Sequence, residues 1–396
     1  MELLELIKEK ASEYKEEVIS IRRYLHQNPE LSFEEYNTSK YVCSKLDEIG
    51  IDYQSGVVNT GIVALIKGNN PSYKTVALRA DLDALPITEE NDIPYKSNNV
   101  GVMHACGHDV HTSSLLGVAK ILTEIKDQFE GTVKLIFQPG EERLPGGASL
   151  MIKEGVLENP SPNTIIGQHV YPQLEVGKVG FKSGMYMAST DELFMTVKGK
   201  GGHAALPHLN VDPVLITAHI LTSLQQIVSR MSHPTAPTVL SFGKIIGNGA
   251  TNIIPDKVEL EGTFRAMDEE WRTKAHIKMK KMAKTIAESM GGECEFKILK
   301  GYPFLVNDEA TTNKAKLAAI DFLGKENVID LDLRMTAEDF AYFSQMRPSC
   351  FYRLGIKNEE KKINSGLHTS TFNIDENALE IAIGLMAWIT LNELKN

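Results

Sequence analysis

Apolar positions recur along this chain with two periods, and the switches between them lay out most of its elements. Between residues 3 and 27, Leu4, Ile7, Ala11, Tyr14, Val18, Ile21 and Leu25 return at three- and four-residue spacing, as on one buried helix face, and Pro29 stops the run. Residues 33 to 49 repeat that pattern and end near Gly50. Short β-branched runs follow at 61 to 67 (GIVALIK) and 75 to 79 (TVALR), which read as neighbouring strands of a covered sheet. Helical spacing returns at 112 to 125, and strand character at 131 to 137 and 164 to 170.

Near residues 183 to 190 the pattern changes. Strand 191 to 199, helix 211 to 229, strands 237 to 246 and 256 to 266, helix 268 to 290 and strand 292 to 299 follow in β-α-β-β-α-β order, a complete ferredoxin-like unit with the look of an insertion. The earlier style then resumes: a helix at 307 to 323, a capped helix from Thr336, a strand at 349 to 354 and a final helix at 375 to 394. The expected fold is α/β, a covered mixed sheet built from residues 1–184 and 301–396 and interrupted by an α+β domain at 185–300.

Length agrees with this division, since 396 residues exceed one typical core. No apolar run reaches the roughly 18 residues that span a bilayer. The start, Met1 to Glu5, lacks a basic segment followed by an apolar one, which points to the cytoplasm. A formal net charge of −10 argues against nucleic acid or an anionic membrane as partner. Cys43, Cys106, Cys294 and Cys350 are widely spaced, so reduced thiols are expected rather than a disulfide framework.

The chemistry concentrates in one stretch, Met103-His104-Ala105-Cys106-Gly107-His108-Asp109-Val110-His111. Three histidines, a cysteine and an aspartate within nine residues form a cluster of metal-ligand types. If the backbone is extended there, His104, Cys106 and His108 share a face. Other candidates sit where strands end: Asp81 and Asp83 after TVALR, Glu141 and Glu142 after GTVKLIF, and His169 in TIIGQHV, the places where open α/β sheets form their sites. Each has a plainer reading, as turn, cap or solvated charge. Adjacent glutamates point apart on a strand or a helix, so one can bind metal while the other reaches a water beside it. The loop 366 to 372 adds His368.

Gathered together, Cys106, His108, Glu142, His169 and His368 can hold two ions if one ligand bridges, with Glu141 left as general base and acid for amide hydrolysis. Thiolate and imidazoles suit zinc, cobalt or nickel; the carboxylate and an open position also tolerate manganese. In the inserted domain His203, at a Gly-Gly turn, can donate to an oxyanion, and Asn252 and Arg265 can hold a substrate carboxylate. Each of these three can equally be a surface residue.

Nine ordered motifs carry a resemblance over nearly the whole chain: RRYLHQNPELSFEE (22 to 35), LRADLDALP (78 to 86), MHACGHDVH (103 to 111), FQPGEE (137 to 142), GQHV (167 to 170), GKGGHAALPH (199 to 208), TNIIPD (251 to 256), AEDF (337 to 340) and LHTSTF (367 to 372). Together they resemble the M20 metallopeptidase family, in the branch of hippurate hydrolases, N-acyl-amino-acid amidohydrolases, N-acetyldiaminopimelate deacetylases and auxin-conjugate hydrolases. The resemblance implies a di-metal catalytic domain, an inserted lid that also dimerises, and a small N-acyl amino acid as substrate. It implies Cys106, His108, Glu142, His169 and His368 as ligands with Cys106 bridging, Glu141 as base, and His203 reaching the partner subunit's site in a homodimer or dimer of dimers. Where many such peptidases carry a ligand histidine, this chain has Asp81-Leu82-Asp83, which leaves the roles of both aspartates open. Rival readings are a dipeptidase or carboxypeptidase using the same site, a Cys106 nucleophile, and a non-catalytic metal-binding protein.

Overall fold

The computed structural model describes residues 2–395; Met1, the head of the segment read for a targeting signal, lies outside them. The chain divides into two compact units, one made of Met187–Leu305 with Arg334–Glu338 and the other of the remaining residues.

The larger unit is built on an eight-stranded mixed sheet in the order Tyr53–Val57, Gly61–Lys67, Thr132–Gln138, Thr75–Asp81, Thr164–Glu175, Ser349–Lys357, Val179–Phe181, Val328–Asp330. Its four middle strands run parallel. Every residue of Thr75–Asp81 and of Thr132–Gln138 is buried, so both faces of the sheet's centre are covered, which is why these segments read as unbroken apolar runs rather than alternating ones. Helices Glu2–Gln27, His108–Glu124 and Ala378–Leu394 pack on one another. The last is buried all round, as expected of a helix apolar on every side. No helix among the described residues is long and apolar enough to cross a membrane.

The smaller unit carries an antiparallel sheet in the order Thr238–Ile246, Lys257–Ala266, Asp191–Lys198, Glu293–Lys300, with helices Pro213–Gln226 and Glu269–Ser289. Along the chain this is β-α-β-β-α-β, apart from two-residue strands at Gly202–His203 and Ile253–Ile254. Asp212 and Asp268 cap the two helices through their carboxylates, which explains where each begins.

Several short elements, among them the strands Val179–Phe181 and Val328–Asp330 and the helix Gly147–Lys153, went unread, and three further differences have a physical reason. The helix expected from Thr336 is only Ala341–Ser344, because Asp339 turns its carboxylate to Arg79, Gln138 and Ala148 instead of capping. The helix expected at 112 begins at His108, inside the histidine cluster. The strand Tyr53–Val57 went unread because a mostly exposed edge shows no apolar signal.

Candidate metal centre

The parallel strands bring their carboxyl ends to one level: Asp81 pairs in register with Gln138, and Arg79 with Gly167, two residues before His169. The helix His108–Glu124 starts beside them from Gly107, whose φ is 83° and where a Cβ would lie 2.5 Å from Val170 Cγ2. Glycine is thus demanded twice, by a left-handed turn and by close approach to the strand carrying His169.

Ligand atoms of Cys106, His108 and His169 lie within 4.8 Å of one another, and so do those of Cys106, Glu142 and His368. The thiol belongs to both groups, 3.5 Å from His169 Nε2 and 3.4 Å from His368 Nε2. Glu142 Oε1 is 3.2 Å from His368 Nε2 and 4.0 Å from His108 Nε2. All five ligand candidates therefore meet, with the sulfur common to two sets of three.

The ring nitrogens facing away from this centre are anchored. His108 Nδ1 lies 2.9 Å from the Asp83 carbonyl and 3.2 Å from its Oδ1, and His169 Nδ1 lies 2.8 Å from the Val170 carbonyl. Both nitrogens donate, so each Nε2 presents a lone pair to the centre. His108 Nε2 is buried with no hydrogen-bond partner among the described residues. Burial, reinforced by Glu142, Glu141 and Asp81, pushes the Cys106 thiol well above its ordinary range. A thiolate needs a cation here, which argues against an unaided Cys106 nucleophile. Burial opposes an imidazolium at His108, yet Asp81 and Asp83 outweigh it and raise this histidine to about 10, so these carboxylates ask for positive charge at the ring, met by a proton on Nε2 or by a cation bound to its lone pair instead. An orphaned imidazole lone pair, a thiol and carboxylates that call for positive charge fit divalent metal.

Asp81 and Asp83 are both engaged by donors, although an Asp81 oxygen also lies within 4.8 Å of ring nitrogens of His108 and His111. Asp81 accepts from Arg79 Nη1 at 2.6 Å and from His111 Nδ1 at 2.6 Å, and His111 Nε2 in turn accepts the Val170 amide at 3.0 Å. Asp83 orients two ligands at once: Oδ1 faces His108, while Oδ2 accepts the Glu142 amide at 2.9 Å and the Ser32 hydroxyl at 2.6 Å. Asp109 binds Arg22 and His26.

Two geometric expectations fail. The extended run expected across His104, Cys106 and His108 is broken at the left-handed Gly107, and His104 joins none of the ligand groups; its ring lies 6.5 Å from that of His26, and burial pushes the imidazole down to about 4. Glu141 and Glu142 do not diverge, since residues 139–142 form neither strand nor helix, and one oxygen of each falls within 4.8 Å of the other and of a His108 nitrogen. The sequence reading also passed over Asp339. Its carboxylate accepts from Arg79 at 2.7 Å, Gln138 at 2.8 Å and Ala148 at 2.9 Å, and its own amide donates to Glu141 Oε1 at 3.3 Å. The AEDF motif was its signal, read there as a cap.

In the smaller unit His203 and Asn252 come together: strand Gly202–His203 pairs with Ile253–Ile254, and the Asn252 carbonyl accepts the Ala204 amide at 3.0 Å. Both are exposed. Arg265 is half-buried on the Thr190 and Thr263 hydroxyls.

Residues 77–392 match the profile of peptidase family M20/M25/M40. The chain is 39% identical over 386 residues to thermostable carboxypeptidase 2 of Saccharolobus solfataricus, covering 96% of each. It is 42% identical over 303 residues to an N-acyl-L-amino acid amidohydrolase of Geobacillus stearothermophilus, covering 76% of this chain and 81% of that one. A Bacillus subtilis crystal structure, described as a dinuclear metal binding peptidase from the M20 family, superposes with a TM-score of 0.83 at 34% identity, covering 97% of this chain and 99% of that one. Similarity at that level along both chains, with the ligand candidates converging in this one, makes the chain a member of peptidase family M20/M25/M40 and a metal-dependent hydrolase of amide bonds.

Proposed function

We propose that the chain cleaves the amide bond of N-acyl amino acids, such as N-acetyl or N-benzoyl derivatives, to a carboxylate and a free amino acid. The observation that carries this reading is the position of Glu141, a buried carboxylate within 4.8 Å of His108 and Glu142 ligand atoms yet outside the set of five. Cys106, His108, Glu142, His169 and His368 would hold two divalent ions, zinc or manganese first, cobalt or nickel next. When bound, such a pair supplies Lewis acidity and lowers the pKa of water. Glu141 takes the proton of the attacking water on a carboxylate oxygen and passes it to the leaving nitrogen. Asp83 keeps His108 and Glu142 aimed, and Asp81 does the same for His111, whose ring packs 4.6 Å from that of His169.

In this reading the smaller unit is lid and dimer interface, with His203 as oxyanion donor and Asn252 and Arg265 as contacts for the substrate carboxylate. Exposed Leu215, Ile245 and Ile246, with Thr238–Ile246 as an edge strand paired on one side among the described residues, support self-association as a homodimer or dimer of dimers. A cytoplasmic setting belongs to the proposal, supported by four free cysteines.

A carboxypeptidase or dipeptidase is the second reading, favoured by the carboxypeptidase relative. Comparison of kcat/KM on N-acetyl and N-benzoyl amino acids with that on free-amino dipeptides, after reconstitution with zinc, manganese or cobalt, decides between them. Glu141→Gln is expected to lower kcat by at least about 100-fold with metal retained. Activity that survives chelation and dies with iodoacetamide would instead favour Cys106 as nucleophile.

A further inference from the structure

We infer that Glu35 is a positioning residue for the turn Gly140–Glu142, and through it for Glu141, because one buried carboxylate grips both that turn and the Phe33 backbone packed beneath it. The inference rests on Glu141 as the base.

Glu35 immediately precedes the helix Tyr36–Ile49 and is fully buried. Its Oε1 accepts the amides of Phe33 and Gly140, each at 2.8 Å, and its Oε2 accepts the Thr60 hydroxyl at 2.7 Å. Phe33 and Gly140 are both left-handed, with φ of 68° and 59°. A Cβ on Gly140 would lie 2.4 Å from the Phe33 ring, so the turn rests directly on that ring. A phenylalanine in this backbone region persists only where its surroundings impose it, and Glu35 imposes it with the same oxygen that holds Gly140.

The rest of the turn is anchored in step. The Gly140 carbonyl accepts the Gly147 amide at 3.0 Å, Glu141 Oε1 accepts the Asp339 amide at 3.3 Å, and the Glu142 amide donates to Asp83 at 2.9 Å. Glu35 supplies the anchor on the amide immediately before the base. No cation pairs with it among the described residues, and burial together with the charge of Asp83 pushes its carboxyl up to about 7. A buried carboxyl with a like charge nearby is a liability for stability. What it offers is acceptor capacity for three donors at once. A glutamine in its place can still accept both amides on its oxygen and turn its NH2 to the Thr60 hydroxyl.

The test compares the metal-loaded full chain with Glu35→Ala, Glu35→Gln and Glu141→Gln. Readouts are hydrolysis of an N-acetyl amino acid, metal content, and amide exchange by mass spectrometry in the peptide spanning 139–142. Glu35→Ala is expected to lower kcat about 10- to 100-fold, with KM within about twofold, native metal content and faster exchange in that peptide. Glu35→Gln restores kcat to within about threefold and slows the exchange again. Native kcat in Glu35→Ala, a loss that falls on KM or tracks lost metal, or unchanged exchange overturns the inference. Should Glu35→Ala fail to fold, Thr60→Val removes one donor and leaves the carboxylate; a fall in kcat of about threefold to tenfold with faster exchange is expected, and unchanged kcat overturns the inference. Native kcat in Glu141→Gln overturns the assignment of the base itself, whatever Glu35→Ala does.

Discussion

Asp83 offers the most direct probe of how this centre is held, because truncating it leaves every ligand candidate in the chain. Asp83→Ala removes the acceptor of the Glu142 amide and of the Ser32 hydroxyl, and one of two acceptors for His108 Nδ1. The main-chain carbonyl of residue 83, 2.9 Å from His108 Nδ1, stays, so the ring keeps its tautomer and roughly its orientation. The loss therefore falls mainly on Glu142 and on the negative charge behind His108. Removing such an outer partner weakens metal binding about 10- to 100-fold, or about 1.4 to 2.7 kcal/mol. Stranding two donors of Ser32 and Glu142 costs stability as well, at roughly 1 to 3 kcal/mol each. Competition against a chromophoric chelator, with zinc and then manganese, reads the affinity directly. Asp83→Asn separates the two functions, since a single amide oxygen can serve His108 or Glu142 but not both. Metal affinity within twofold of native in Asp83→Ala would refute the reasoning.

Three further outcomes follow from the same geometry. Glu35, raised to about 7 from an unfolded value of 4.5, is neutral in both states at low pH. As pH rises through that interval the unfolded chain ionises first, so the native chain should lose up to about 3 kcal/mol relative to Glu35→Gln, levelling off above the folded pKa. Denaturant titrations of both chains at a series of pH values check this, and a pH-independent difference would contradict it. In the smaller unit Asp191 accepts from Arg272 at 2.6 and 3.0 Å, with both side chains buried. Asp191→Ala should cost about 3 kcal/mol, because buried Arg272 keeps only the partly exposed Glu269 as counter-ion, followed by Trp271 fluorescence in a Trp388→Phe background. Gly107→Ala meets both a left-handed φ and Val170, so metal content and activity should fall together in a chain that still unfolds cooperatively, as calorimetry and metal analysis would show.

Much of this protein is legible in local pattern. The long helices, the apolar central strands and the β-α-β-β-α-β run of the smaller unit follow from periodicity and caps, because both are written within a few residues of where they act. The residue types of a metal centre are legible for the same reason: Cys106, His108, Glu142, His169 and His368 stand in motifs at strand ends and in loops. What pattern leaves undecided is which of several similar side chains has a nitrogen or oxygen to spare. His104, His108 and His111 look alike in the sequence, yet Val170 and Asp81 use up both nitrogens of His111, Asp83 takes only Nδ1 of His108, and His104, though both its nitrogens are buried without a partner among the described residues, joins none of the groups of ligand atoms that meet at Cys106. Asp339 and Glu35 were legible only as motif letters, because the turn at Gly140 and Glu141 that each of them touches lies about a hundred residues or more away along the chain. Sequence determines which groups are present and on what kind of element. Only the tertiary structure decides which of them are already satisfied and which converge, since hydrogen-bond partners are chosen by proximity in space, and a ligand needs both a spare lone pair and other ligand atoms within reach.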